Sequence, residues 1–106
     1  MLRRTASSIL VYESPSGKIE VLFHLHAKLQ KWMGPGGHIE QGELVHEALE
    51  REIVEETGLY LRFPTRTLSG RATGLPLPIG ITRHQGEWVV EDSVYMDSSC
   101  RDLELS

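Results

Sequence analysis

Apolar and polar residues alternate along this chain in runs separated by clusters of turn-forming residues. Ser8 to Tyr12 is a first β-like run, closed by Glu13-Ser14-Pro15-Ser16-Gly17-Lys18. A second run, Ile19 to His26, is rich in β-formers and free of Gly and Pro, so the pair predicts a hairpin. Trp32 to Gly37 is expected to be irregular, because three glycines and a proline occupy four consecutive positions and call for special backbone angles. Leu44 to Thr57 holds no Gly, Pro or long β-branched run and predicts a helix, with Gly58 placed as its stop. Strands are expected at Leu59 to Phe63, Thr67 to Thr73, Pro78 to Thr82 and Trp88 to Met96, separated by Pro64, Gly74-Leu75-Pro76 and Gln85-Gly86. The last ten residues show no clear element. No repeat, low-complexity tract or linker interrupts the sequence, so residues 1–106 are read as a single domain.

The helix carries the most information. Advancing about 100° per residue from Glu52, Leu44, Ala48, Val45, Leu49 and Ile53 fall near about −80°, −40°, +20°, +60° and +100°. Glu55 falls near about −60° and Glu56 near about +40°, so Glu52, Glu55 and Glu56 prolong the apolar stripe. His46, Glu47, Glu50 and Val54 are assigned to the opposite, outer side. Solvation of an outer face accounts for Glu47 and Glu50. It does not account for the three inward acids.

Carboxylates gathered within one turn and partly withdrawn from water repel one another unless something positive sits among them. Arg51, four residues from both Glu55 and Glu47, neutralises part of that charge. A bound divalent cation is the economical partner for the rest. Oxygen ligands without a histidine cluster on the helix favour Mg²⁺, with Mn²⁺ as a substitute. The helix C-terminus also favours a cation there. Pro35-Gly36-Gly37 taken alone reads as a plain turn. Before this helix, its glycines let the backbone approach a ligand or metal and supply the other half of a site.

Loop and helix together read Gly37, five residues, Glu43, seven residues, then Arg51-Glu52-Ile53-Val54-Glu55-Glu56-Thr57-Gly58-Leu59. This resembles the Nudix box, G-x5-E-x7-R-E-U-x-E-E-x-G-U with U a bulky aliphatic, and all nine specified positions match. The approach through Trp32 and Pro35-Gly36 is also similar to that family. The resemblance implies an α/β fold, an α/β/α sandwich with a mixed β-sheet. It implies Mg²⁺-dependent hydrolysis of a diphosphate linkage in a nucleoside diphosphate joined to another group. By motif position, Glu52, Glu55 and Glu56 would be metal ligands, with the Gly37 carbonyl as a further oxygen. One of the glutamates, Glu52 in first place, would deprotonate the attacking water. Arg51 would fix a catalytic carboxylate, Glu43 would support it near the loop, and Gly58 and Leu59 would be structural. The alternative is a Nudix-like domain that binds a nucleotide without hydrolysing it, although such domains tend to have lost box glutamates.

Outside the box the expectations are plainer. His24 and His26 lie on one face of the second run and, with Lys28 or Lys31, would meet substrate phosphates; exposed strand polarity is the expected reading. Trp32 either stacks on a base or packs the glycine loop. His38 is assigned no role. Trp88 and Tyr95 are expected as core or edge residues. Glu87, Glu91 and Asp92 fall where some relatives place an extra metal ligand or base, and a solvated strand end is expected instead.

Composition narrows the class further. With 40% hydrophobic and 25% charged residues the chain is globular rather than disordered. A formal charge of −4 argues against a dedicated nucleic-acid surface; the small nucleotide-type partner is what the resemblance implies. The single cysteine, Cys100, excludes an internal disulfide and a cysteine-rich zinc site. Neither a membrane span nor a signal peptide is visible, so a cytoplasmic protein is expected. Members of the family usually continue past the strand like Trp88 to Met96 into a C-terminal helix. That helix is expected to be lacking here. The chain is then unusually short, partial, or covered by a partner, and the face left open is predicted to be apolar and protected by homodimerisation.

Overall fold

Strand β1 (Leu2–Glu13) runs through the middle of the main sheet in the computed structural model, which describes residues 2–26, 29–68, 70 and 73–97. Along one edge it pairs antiparallel with β2 (Ile19–Val21) and with β5 (Gly36–His38). Along the other it pairs in parallel with β9 (Val89–Asp97), from Leu2 opposite Val89 to Leu10 opposite Asp97. Strand β8 (Gly80–Gln85) lies antiparallel outside β9. The sheet is therefore mixed, in the order β2-β1-β9-β8 with β5 also on β1. Two small hairpins stand apart: β3 (His24–His26) with β4 (Lys31–Met33), and β6 (Arg66–Thr67) with β7 (Thr73–Gly74).

Alternation along the strands gives the sheet two different faces. Ala6, Ser8 and Leu10 of β1 are buried together with Ser93 and Tyr95 of β9. Helix α1 (Val45–Thr57) lies on this side and supplies Leu49 and Ile53 to the same core. Phe63 completes it, its ring tilted 53° against Tyr95 at 5.4 Å. The other face carries Thr5, Ser7, Val90, Asp92 and His84. It is not covered by α1, the single helix among the described residues.

The helix begins and ends for local reasons. Leu44 has no side-chain acceptor, so Glu47 supplies half a capping box by accepting the Leu44 N–H at 3.0 Å. At the other end Gly58 takes φ 76°, and its N–H closes onto the Val54 carbonyl at 2.9 Å.

Several expectations change. The first run is longer than Ser8 to Tyr12, because parallel pairing with β9 extends it back to Leu2 and antiparallel pairing with β2 carries it on to Glu13. The predicted hairpin forms, but the second run breaks at Leu22-Phe23 into β2 and β3. Trp32 to Gly37 is not irregular throughout, since it contributes the end of β4 and the start of β5. Extended backbone there is held by neighbours: the Ser8 N–H and hydroxyl both donate to the Pro35 carbonyl, at 2.9 and 2.7 Å. Leu59 to Phe63 forms no strand; Glu50 instead accepts the Phe63 N–H at 3.0 Å and ties this segment to α1. Thr67 to Thr73 is not one strand but the region of the short β6–β7 hairpin. The last two strands are shifted by one to three residues from expectation. Lys28, Cys100 and the last nine residues lie outside the described residues.

Candidate active site

Helix α1 faces the sheet over an arc narrower than the sequence implies. Ala48, Leu49 and Ile53 are fully buried, and His46 is buried beside them rather than on the outer side. Its azimuth, near about +120°, adjoins that of Ile53. At the opposite edge Leu44 and Glu55 are exposed. The covered arc thus runs from about −40° to about +120°. Glu52 and Glu56 lie inside it, and Glu55 lies outside.

Arg51 is the hub of the site. Its Nε donates to Glu43 Oε2 at 2.8 Å and its Nη2 to Glu43 Oε1 at 3.0 Å, a bidentate grip. Its Nη1 donates to Glu52 Oε1 at 3.0 Å and reaches Glu55 at 3.3 Å. Nη2 also donates to the His38 carbonyl at 3.1 Å, joining helix to glycine loop. The Arg51 hydrogen bonds hold the Glu43 carboxyl below its ordinary range, helped by the Glu40 N–H. Glu43 chiefly, and Glu52 after it, hold the Arg51 guanidinium firmly protonated. Glu47, expected within reach of Arg51, caps the helix instead.

Glu52 lies against Gly37, where an added Cβ would overlap its carboxylate. Any side chain there would have to push the Glu52 carboxylate aside. Glu56 takes the neighbouring place, accepting the Gly36 N–H at 3.3 Å. Burial pushes its carboxyl up to about 7; the Gly36 N–H opposes this, and the carboxylates of Glu52 and Glu55 add to it. The second Glu56 oxygen, Oε2, is buried without a hydrogen-bond donor and faces His24 Nε2, an ion pair only when that imidazole is charged. His24 is thus drawn into the site, contrary to the expectation of plain strand polarity. The period-two pair His24 and His26 was its only signal in the sequence; which face it occupied depended on β3 folding over the loop.

The donor set fits a hard divalent cation. It offers two adjacent carboxylates, one with a buried oxygen that meets only the His24 imidazole, and a third, Glu55, held by Arg51 at the exposed edge. Among the described residues no three His, Cys, Asp or Glu side chains are already gathered around one point.

Next to Gly36, Gly37 and His24 opens a cleft of about 330 Å³, which also takes in His26, His38 and the open sheet face. A larger hollow of about 710 Å³ lies elsewhere, among Phe63, Leu75, Pro76 and Met96. Among the described residues its lining has no ionisable group besides Tyr95, so the candidate chemistry is assigned to the smaller cleft. Trp32 is exposed and Tyr95 is core, while Trp88 carries the Arg3 guanidinium at 4.2 Å from its ring centroid. Asp92, expected at a solvated strand end, is half-buried within β9 and faces the cleft.

A mixed sheet, a glycine loop and an acidic helix end are the arrangement that the box described above implies. The NUDIX domain family matches residues 1–91, and the chain belongs to that family. It is a Nudix hydrolase, MutT-like and acting on phosphoric anhydride bonds. Its structure is similar to a NUDIX-family hydrolase from Clostridium perfringens, with 28% identity and a TM-score of 0.67 over 92% of this chain and 70% of that one. An Ap4A hydrolase from C. elegans matches at 20% identity and a TM-score of 0.66, over 100% of this chain and 76% of that one. A MutT/nudix protein from Enterococcus faecalis shares the fold at 16% identity and a TM-score of 0.66, over 91% of this chain and 37% of that one. Among the described residues no helix is long and apolar enough to cross a membrane.

Proposed function

We propose that this chain hydrolyses the diphosphate linkage of a nucleoside diphosphate joined to another group, with Mg²⁺ as the working cation and Mn²⁺ as a substitute. The observation that carries this reading is the pairing of Glu52 and Glu56 at the glycine loop, with one Glu56 oxygen buried and met only by the His24 imidazole. Glu52, Glu55, Glu56 and the Gly37 carbonyl would hold the cation, which supplies charge neutralisation for the phosphate oxygens when bound. Glu52 takes the proton of the attacking water as it adds to phosphorus and the bridging P–O bond breaks. Arg51 and Glu43 position it, since Arg51 holds Glu52 at one end and is itself gripped by Glu43. Dinucleoside polyphosphates join the substrates to try, since one neighbour that shares the fold is described as an Ap4A hydrolase.

The test is a panel of nucleoside triphosphates, nucleotide sugars and dinucleoside polyphosphates with Mg²⁺ and with Mn²⁺. Turnover of at least one is expected. Glu56→Gln should lose about 100-fold in rate while its circular dichroism stays unchanged. Full activity in that variant would overturn the ligand assignment, and tight binding with no hydrolysis of any compound would overturn the enzymatic reading.

A further inference from the structure

The open sheet face holds a polar group that the hydrolytic site does not use. Asp92 Oδ1 accepts hydrogen bonds from the Thr5 hydroxyl at 2.8 Å and the Ser7 hydroxyl at 2.9 Å, and Ser7 also lies 2.8 Å from Oδ2. Thr5 stands directly beside Asp92 in the parallel register, and Thr82 stands opposite it on the other side. Two hydroxyl protons occupy two of the roughly four lone-pair sites of a carboxylate. Asp92 itself lines the cleft. Among the described residues no Lys, Arg or His forms an ion pair with Asp92. The carboxylate is therefore oriented, acceptor-only and short of donors.

Its surroundings define what would satisfy it. Val90 and His84 lie opposite one another on the same face, and Met33 lines the cleft as well. These give a planar ring apolar and aromatic contact. Along the row His38–Thr5–Asp92, two strand spacings or about 10 Å separate β5 from β9. A nucleoside spans such a distance. A phosphate would be repelled by Asp92, so the charged end of a nucleotide belongs at the glycine loop.

We propose that Asp92, oriented by Thr5 and Ser7, is a specificity-determining residue that takes two adjacent hydrogen-bond donors on the nucleoside part of the substrate. The deepened reading rests on the diphosphate lying at Glu52 and Glu56. Two parts of a nucleotide present such a pair: the N1–H and N2–H edge of guanine, and the 2′,3′-diol of ribose. Adenine, cytosine and uracil present no two adjacent donors on that edge and cannot form the bidentate contact.

Binding of GTP, ITP and dGTP in the presence of Mg²⁺, by titration calorimetry, separates the two. ITP lacks only the N2 amino group, and dGTP lacks only the 2′-hydroxyl. Loss of about 10-fold in affinity for ITP supports the base edge, and the same loss for dGTP supports the diol. Equal affinity for all three overturns the proposal. In Asp92→Asn the observed preference should disappear, and its persistence overturns the proposal. Should that variant fail to fold, Ser7→Ala removes one orienting hydroxyl and should weaken the preference; an unchanged preference again overturns it. Ranked binding without hydrolysis leaves Asp92 as the recognition group and removes only the hydrolase reading. Binding without ranking removes the recognition alone, and no binding removes both.

Discussion

Arg51 and Glu56 show how single side chains set the electrostatics of this site. Arg51 spends its donors on Glu43, Glu52, Glu55 and the His38 carbonyl, leaving Glu56 without an arginine partner. Glu56 is consequently the acid whose carboxyl rises to about 7, through burial first and neighbouring carboxylates second. A raised carboxyl favours the folded metal-free protein below the ordinary carboxylate range, and that contribution is lost as pH climbs through about 7. The melting temperature of the metal-free protein should therefore fall from about pH 5 to about pH 8, and fall less in Glu56→Gln. Mg²⁺ at about pH 8 should restore more stability to the wild type than to the variant. Parallel melting profiles for the two proteins would contradict this.

At the scale of elements, the contact between β5 and α1 decides whether the carboxylates meet the glycine loop. Gly37 is where the two touch, and a methyl group there would displace the Glu52 carboxylate. Gly37→Ala should reduce divalent-cation affinity by about 10-fold or more, measured by Mn²⁺ titration, with the secondary structure retained by circular dichroism. Unchanged affinity would show that Glu52 does not need its place against the loop. The element boundaries explain what was readable beforehand. The α1 boundaries were visible because Gly58 and the absence of breakers act locally. The β4 and β5 strands were not, because glycine- and proline-rich backbone becomes extended only when β1 and β3 supply its hydrogen bonds.

Over the whole molecule the two sheet faces divide the work between stability and recognition. One buries Leu10, Leu49 and Ile53, and the other carries the polar cleft. A third surface is apolar: Leu75, Leu77 and Met96 are 52%, 85% and 52% exposed around the larger hollow. Contiguous apolar surface of this kind marks an interaction site. The expected homodimer would use it. Light scattering at micromolar concentration should then give a dimer, and Leu77→Glu should return a monomer. A monomeric wild type would set the expectation aside.

The sequence by itself determined the family, because the box is compressed into Gly37 to Leu59, where helical periodicity and one loop bring the groups together. It also determined the helix, its stop and the first hairpin, all governed by neighbours within a few residues. Tertiary structure alone decided the rest. It turned Glu55 outward, because the sheet covers only part of the helix face. It brought His24 to Glu56 and Asp92 to Thr5 and Ser7, contacts 32, 87 and 85 residues apart in the chain. Such contacts depend on strand pairing between distant segments, and the positions taken singly carry no local signal of it.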